Sequence, residues 1–220
     1  DYTDHMRPYM ENWQALDIKF DGICTGFLGS AAQINIVLDF LRLFKTKETL
    51  IMMDPVMGDY GRLYSSYTPE MCREMKRLLA YADLVTPNLT ETCELLDLPY
   101  PGQGKVSPSQ LQEMAEALSE KGPGKVVITG LTDGDQLHNF IYERGCPGTM
   151  VSVQKIGGDR SGTGDAFMAI VAASLVKGEE LTASVSKAAD FISKSLAYTV
   201  ALDLPWNYGI CFEEYLTELR

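Results

Sequence analysis

Basic residues and histidines are scarce in this chain of 220 residues. It has 19 Lys and Arg against 30 Asp and Glu, which gives a formal net charge of −11. Because no run of basic residues stands out, nucleic acid and anionic membrane surfaces are poor partners. The only two histidines, His5 and His138, are far apart in the sequence. This argues against a zinc site and against a Ser-His-Asp triad.

Long apolar segments and paired cysteines are also missing. Apolar stretches such as 170–176 are far shorter than the ~20 residues of a membrane-spanning helix, and the chain does not open with a signal-like segment. The five cysteines are scattered and form no Cys-x-x-Cys pair, as expected of reduced thiols. We therefore expect a cytoplasmic protein that does not contact membranes.

Short apolar runs alternate with amphipathic helical patterns along most of the chain. Such alternation predicts an α/β fold with a mainly parallel central sheet and helices on both faces. A change of period over 136–154 predicts an antiparallel hairpin at one edge of that sheet. The predicted strands are 21–25, 50–53, 84–86 and 125–129, and the predicted helices include 30–45, 164–177, 181–201 and those begun by the caps Thr68-Pro69 and Ser107-Pro108.

A glycine-rich loop, residues 157–162, leads into Thr163, Gly164 and Asp165 at the start of a predicted helix. Unpaired backbone N–H groups at such a place bind anions, phosphate above all. Thr163 occupies the position where a Walker A loop requires Lys, which excludes an ordinary P-loop NTPase. A carboxylate beside a phosphate site suits a base that accepts a proton from an attacking hydroxyl. A tight turn with an acidic first-turn residue is the alternative interpretation.

Polar side chains follow several of the predicted strands, where an α/β sheet binds its ligands. Asp54 and Asp59 follow the second predicted strand, Asn88 and Glu91 follow the third, and the fourth ends at Thr129-Gly130. Hard oxygen ligands of this kind suit Mg²⁺. Asn88 and Glu91 are equally well explained as a helix capping box, and Asp54 as a turn residue. Asp59 is harder to explain without a cation or donors close by.

Three motifs occur together in an order that resembles the ribokinase-like superfamily, and specifically its pyridoxal kinase branch. They are Asp54-Pro55-Val56-Met57-Gly58-Asp59, Thr86-Pro87-Asn88 with Glu91, and Gly162-Thr163-Gly164-Asp165. Segments 1–4 and 25–30 are also similar to that branch. The resemblance covers essentially the whole chain and implies one ribokinase-like kinase domain over 1–220. We expect this domain to lack the strand and glycine-containing segment with which the family begins.

The resemblance implies that ATP phosphorylates the 5′-hydroxymethyl group of pyridoxal or a related B6 vitamer. Asp165 would be the base, and the N–H groups of Gly162, Thr163 and Gly164 would hold the transferring phosphoryl group. Phe27 would contact the vitamin ring. The segment 57–67 would close over ATP.

The resemblance also implies a nucleotide and metal site. Asp59 and Glu91 would act through Mg²⁺, partly by way of water, with Asn88 close to the nucleotide phosphates. Thr129 and Gly130 would contact ATP. A homodimer is implied as well, and the requirement for a monovalent cation stays open.

Two classes of alternative function stay open. A kinase of the same fold could phosphorylate hydroxymethylpyrimidine or a sugar. Hydroxymethylpyrimidine kinases often carry Cys at the position of Asp165, and sugar kinases usually lack the Asp54–Asp59 motif, so both features favour pyridoxal. A non-catalytic nucleotide- or vitamin-binding protein of this fold is expected to have lost the base, whereas Asp165 is present.

Overall fold

A computed structural model describes residues 1–219, which form a central six-stranded sheet, a separate two-stranded hairpin and helices on both sheet faces. The strands are β1 (Gly22–Thr25), β2 (Leu50–Met53), β3 (Gly58–Asp59), β4 (Arg62–Leu63), β5 (Leu84–Val85), β6 (Lys125–Asp133), β7 (Gln136–Glu143) and β8 (Thr149–Gln154). The α-helices are α1 (Thr3–Ala15), α2 (Ala31–Phe44), α3 (Pro69–Lys76), α4 (Leu89–Leu96), α5 (Pro108–Glu120), α6 (Thr163–Val176) and α7 (Leu181–Ala201).

The central sheet has the strand order β1-β2-β5-β6-β7-β8. The first four of these strands are mutually parallel, and β7 and β8 continue the sheet in antiparallel fashion. The predicted mainly parallel sheet and its antiparallel edge hairpin are therefore confirmed. The carboxyl ends of β1, β2, β5 and β6 point to one edge of the sheet, which is where an α/β fold places its ligands.

Alternation along the strands divides the core into two layers. In β2, Met53 packs into the cluster beneath α2–α5, whereas its neighbour Met52 packs into the cluster beneath α6 and α7. Val126 and Val127 of β6 divide in the same way. Successive side chains of a strand point to opposite faces, so short, fully apolar strands cover both faces with helices.

Local capping chemistry fixes the helix starts that the sequence predicts. Ser30, Thr68 and Ser107 each accept a hydrogen bond from the backbone N–H three residues on, and Gln110 completes the capping box of α5. Each of these bonds satisfies an N–H that has no partner inside its helix. In the part of the chain that the structure describes, no helix combines the length and apolar character needed to cross a membrane.

Three features differ from the predicted elements. Helix α1 is not among the predicted helices; it buries none of its residues, and it contains Pro8, a residue type that usually interrupts a helix. The β3–β4 hairpin is too short to give a periodic pattern. Strand β6 continues past 129 because an irregularity between Ile128 and Leu131, with Gly130 at a φ of +67°, lets pairing with β7 resume.

Candidate active site

The glycine-rich loop and the start of α6 present an open set of backbone donors. Gly157 and Gly162 have φ values of +63° and +89°, which L side chains rarely adopt. Gly162 is the N-cap of α6, and no side chain caps this helix. The first N–H groups of a helix have no partner within it, and the positive end of the helix dipole lies beside them. The loop therefore presents open N–H groups at the place where the sequence predicts an anion site, and the binding of an anion there stays a prediction.

An acidic cluster, Asp54, Asp59 and Glu91, lies across from this loop. Asp54 follows β2 directly, and its Oδ2 lies 3.8 Å from where a Cβ on Gly164 would be. Burial and, to a smaller extent, the negative charge of Asp165 together raise the pKa of Asp54 to about 7. Asp165 itself is exposed at the start of α6. The acid at the head of the helix thus lies next to the acids at the strand ends.

Glu91 holds the acidic cluster to the backbone. Its Oε2 accepts a hydrogen bond from the N–H of Asn88 at 2.8 Å, and its Oε1 accepts one from the N–H of Met57 at 3.1 Å. Asn88 Oδ1 in turn accepts from the N–H of Glu91, and Asn88 Nδ2 donates to the carbonyl of Gly58. The capping box is therefore present, and through Met57 and Gly58 it also connects α4 to the segment that carries Asp59.

Burial perturbs the acids of this cluster in one direction. Glu91 is only 4% exposed, and this burial, followed by the charge of Asp54, raises its pKa well above the ordinary value. Burial also raises the pKa of Asp59, which the charge of Asp159 raises further although the N–H of Tyr60 opposes it. A carboxylate that loses water without gaining a cation is costly to ionise. The cluster is therefore suited to receive positive charge.

The β3–β4 hairpin bridges the acidic cluster and the glycine-rich loop. At its tip the Tyr60 hydroxyl donates to both carboxylate oxygens of Asp159 at 2.8 Å, and the N–H of Gly61 donates to Thr90 Oγ1. Burial and the carboxylate raise the pKa of Tyr60, so the phenol keeps its proton. The hairpin lies within the segment 57–67 that is expected to close over ATP.

One cavity of about 600 Å³ brings these groups together. Of the sequence-predicted residues, Asp59, Asn88, Glu91, Thr129, Gly130, Gly162, Thr163, Gly164 and Asp165 line it, together with Asp54. Thr129 reaches the cavity because it forms an isolated parallel bridge with Asn88 at the irregularity in β6. Apolar side chains, including Ile156, Ile192 and Trp206, line another part of the same cavity.

Among residues 1–219, no group of three or more His, Cys, Asp or Glu side chains is arranged as a complete metal site. The donor set nevertheless suits Mg²⁺, which is usually bound by one or two carboxylates with water and substrate phosphates rather than by a cage of protein ligands. The raised pKa values of three neighbouring carboxylates agree with such a cation.

Comparison with known proteins identifies the family. The family model described as phosphomethylpyrimidine kinase matches residues 11–207. The chain belongs to this family. A solved structure from Bacteroides thetaiotaomicron, assigned as a phosphomethylpyrimidine kinase, is 37% identical with a TM-score of 0.95 over 100% of this chain and 76% of its own. Its orthorhombic crystal form contains pyridoxal, with a TM-score of 0.90. The ribokinase-like fold is thereby confirmed.

Curated members of this kinase family carry two kinds of name. Hydroxymethylpyrimidine/phosphomethylpyrimidine kinase from Haemophilus influenzae is 33% identical over 88% of this chain and 69% of its own. Pyridoxal kinase PdxY from Pasteurella multocida is 35% identical over 51% of this chain. The chain spans 38% of the length of the Pasteurella enzyme and 34% of the length of the thiamine biosynthetic bifunctional enzyme TH1 from Arabidopsis thaliana.

Two further residues have alternative or open interpretations. Asp54, for which a turn role was the alternative, lines the cavity, in agreement with its position directly after β2. Phe27 is not among the residues that line this cavity. It is 54% exposed and makes an edge-on contact with Tyr67 at a ring-centroid distance of 5.9 Å. Its contact with a vitamin ring stays a prediction.

Proposed function

We propose that this protein transfers the γ-phosphoryl group of ATP to the 5′-hydroxymethyl group of pyridoxal or a related B6 vitamer, giving pyridoxal 5′-phosphate and ADP. One observation carries the proposal. Asp165 lies where the open N–H groups at the start of α6 meet the acidic cluster. The presence of pyridoxal in a crystal form of the Bacteroides relative supports this acceptor.

The residues of this chain supply positioning and charge rather than covalent chemistry. Asp165 accepts the proton of the substrate's hydroxymethyl group while the hydroxyl oxygen of that group forms a bond to the γ-phosphorus. The bond from that phosphorus to the β,γ-bridging oxygen breaks, and ADP departs with the electron pair. The N–H groups of Gly162, Thr163 and Gly164 donate to the phosphoryl oxygens, whose charge is spread out in the transition state.

Mg²⁺ would be held by Asp59 and Glu91, partly through water, with Asp54 beside them. When bound, it neutralises the charge of the nucleotide phosphates. Asn88, Thr129 and Gly130 would contact the nucleotide along the ends of β5 and β6. The hairpin tip at Tyr60 would shield the phosphates from water, which favours transfer to the alcohol over hydrolysis.

Hydroxymethylpyrimidine is the second candidate acceptor. The description of the family model and the name of the Haemophilus relative favour it. It carries the same reacting group, a primary alcohol on a flat heteroaromatic ring, so the same residues would act on it. Asp165 in place of the cysteine that such kinases often carry favours pyridoxal.

An acceptor panel tests the proposal. The full-length protein is incubated with ATP, Mg²⁺ and, in separate reactions, pyridoxal, pyridoxamine, pyridoxine and hydroxymethylpyrimidine, and ADP and phosphorylated product are both quantified. We expect the highest kcat/KM with a B6 vitamer. A higher value with hydroxymethylpyrimidine would assign the second function. No product with any of the four would overturn both and favour a binding protein.

A further inference from the structure

The tip of the β3–β4 hairpin crosses the active-site cavity to the glycine-rich loop. The Tyr60 hydroxyl lies 2.8 Å from each carboxylate oxygen of Asp159, and both residues line the cavity. Asp59 precedes Tyr60 in the hairpin, and Gly162 follows Asp159 at the start of α6. Phosphates that join the acidic cluster to the N–H groups of α6 would therefore lie beside this contact.

The hairpin is fastened to α4 and to the segment that follows it. The carbonyl of Gly58 accepts a hydrogen bond from Asn88 Nδ2 at 2.8 Å. At the tip, the N–H of Gly61 donates to Thr90 Oγ1 at 2.8 Å. The ring of Tyr100 lies so close to Gly61 that a Cβ there would be 2.5 Å from it. A hairpin with two residues in each strand has little stability of its own, so these contacts determine its position. All of them are independent of the hydrogen bonds across the cavity.

The backbone conformation at the tip is unusual for a tyrosine. Tyr60 and Gly61 have φ values of +50° and +75°, both positive, as a two-residue hairpin turn of type I′ requires. Among residues 1–219, Tyr60 is the only residue other than glycine and aspartate with a positive φ. A bulky residue in this conformation costs free energy, which surrounding contacts must offset. The hydrogen bonds to Asp159 are contacts of this kind.

On the opposite side of the cavity, the segment 157–159 has few contacts. Its three residues are exposed, and in the part of the chain that the structure describes their backbone groups form no hydrogen bond. A Cβ on Gly158 would meet no atom within 4 Å. Anchors lie on either side, at the N–H of Lys155 and at the Arg160 guanidinium, which donates to two backbone carbonyls. Exposure and missing hydrogen bonds are typical of a segment that opens locally at low cost.

The difference between the two sides identifies the part of the cavity that can move. Among the described residues, Tyr60 is the hydrogen-bond donor to Asp159, and this carboxylate is the hydrogen-bonded group of the segment 157–159. We propose that Tyr60 and Asp159 form a latch, and that the segment 157–159 moves away from the hairpin when the latch opens. Gly157 and Gly162, with φ values of +63° and +89°, flank the latch and provide the backbone freedom of a hinge.

The latch controls the exchange of nucleotide, and this part of the inference rests on the proposed function. A closed latch covers the phosphates, so nucleotide enters and leaves past the segment 157–159 when the latch is open. The family resemblance leads to a different expectation, in which the segment 57–67 closes over ATP. The contacts with α4 instead keep the hairpin in place and assign the motion to the glycine-rich loop.

Limited trypsin digestion of the full-length, ligand-free protein tests which side moves. Trypsin sites lie on both sides, after Arg62 in the hairpin and after Lys155 and Arg160 in the loop. Tyr60→Phe removes the hydroxyl and keeps the ring. We expect cleavage at the two loop sites to become about threefold to tenfold faster, because a hydrogen bond to a carboxylate is lost and cleavage follows the open population. Cleavage after Arg62 should be unchanged.

Tyr100→Phe is the matched control. It removes a tyrosine hydroxyl from a ring that packs on the same hairpin outside the cavity lining, so cleavage at all three sites should equal that of the wild type. Asp159→Ala should act like Tyr60→Phe, and the double variant should show no further rise, because both changes remove the same hydrogen bonds. Loop cleavage of Tyr60→Phe equal to that of the control would overturn the latch. Faster cleavage after Arg62 would overturn it too, since the hairpin would then be the moving part.

Stopped-flow measurement of Mg²⁺-ADP binding tests the control of nucleotide exchange. For Tyr60→Phe we expect the association and dissociation rate constants to rise by about the same threefold to tenfold, which leaves Kd unchanged. Wild-type rate constants in this variant, or a change in Kd alone, would overturn the role in exchange. If the wild type binds no nucleotide, the proposed function fails, whereas the trypsin digestion still decides whether the latch exists.

Discussion

The two sides of the active-site cavity are built in opposite ways. On one side, Glu91 is buried and both of its carboxylate oxygens accept backbone hydrogen bonds, so the acidic cluster is fixed by the fold. On the other side, the glycine-rich loop and Asp165 are largely exposed, and the N-cap of α6 has no side-chain partner. One side therefore has carboxylates that are buried away from water, and the other side has backbone N–H groups that no side chain accepts from.

This difference indicates how the two sides divide a nucleotide between them. Buried carboxylates with raised pKa values gain from a cation, whereas open N–H groups at a helix start gain from an anion. A cation bound to phosphates satisfies both sides at once. Each side can therefore be altered separately. We expect a substitution on the loop side to lower kcat, and a substitution on the acidic side to raise the Mg²⁺ concentration that the reaction requires.

The largest effect is expected on the loop side, from Asp165→Ala. Loss of a general base lowers rates by about 10²- to 10⁴-fold, so we expect kcat to fall by that factor. Binding of ATP, measured by calorimetry with Mg²⁺, should be retained because the N–H groups of the loop are unchanged. An exposed first-turn acid contributes roughly 0.3–1 kcal/mol to its helix, so the fold should be retained.

The same experiment can also contradict the assignment of Asp165. Unchanged turnover would remove this residue from the mechanism. A loss of activity that runs parallel to a large fall in Tm would mean that Asp165 only supports α6.

The next effect is expected on the acidic side, from Glu91→Gln. The substitution removes the negative charge, and an amide N–H₂ replaces one oxygen that now accepts from Asn88 or Met57. We expect the Mg²⁺ concentration for half-maximal rate to rise by about tenfold or more, with a smaller change in the rate at saturating Mg²⁺. A titration of initial rate against Mg²⁺ measures this.

The capping box of α5 provides the control for Glu91. Gln110 Oε1 accepts from the N–H of Ser107 at 2.9 Å in the same geometry, at an exposed place outside the cavity. Gln110→Ala should cost about 1 kcal/mol in unfolding free energy and leave the Mg²⁺ dependence alone. If Glu91→Gln behaves like this control, Glu91 is a capping residue and no more.

Features set by local chemistry were predictable from the sequence. The bounds of β2 and α7 and the caps at Ser30, Thr68 and Ser107 follow from runs and residue types within a few positions, and the structure has them there. The strand-end rule also predicted that polar residues distant in sequence would meet at one edge of the sheet.

Features set by packing between distant segments were not predictable. The hydrogen bonds from Tyr60 to Asp159 span 99 positions in sequence, and no local pattern signals them. The turn interpretation of Asp54 lacked the neighbouring charge of Asp165, which only the folded chain brings close. Arg160 holds the segment after α7 by donating to the backbone carbonyls of Leu204 and Pro205, and such contacts have no sequence signature.

The smallest expected effect is a dependence of the protein's stability on pH that comes from the acidic cluster. Burial raises the pKa of Asp54 to about 7, so between its ordinary value and pH 7 the folded chain binds more protons than the unfolded chain. Stability from this group is therefore complete below its ordinary pKa and is lost as the pH rises through about 7. The pKa values of Glu91 and Asp59 are raised too, so their contributions have the same sign.

Thermal unfolding of the ligand-free protein in a chelator, from pH 5.5 to pH 8, measures this loss. We expect the Tm to be lower at pH 8 than at pH 5.5 by a few degrees, at roughly 2–4 °C per kcal/mol for a domain of this size.

Asp54→Asn should make the Tm depend less on pH and should raise the Tm at pH 8. Mg²⁺ should raise the wild-type Tm at pH 8 through binding to the folded state. Surface carboxylates such as Asp39, whose pKa the neighbouring Arg7 lowers, titrate below this range and do not contribute. A wild-type Tm that rises from pH 5.5 to pH 8 would mean that the charge of the acidic cluster is already neutralised in the ligand-free protein. The raised pKa values would then give no reason to expect a cation at this site.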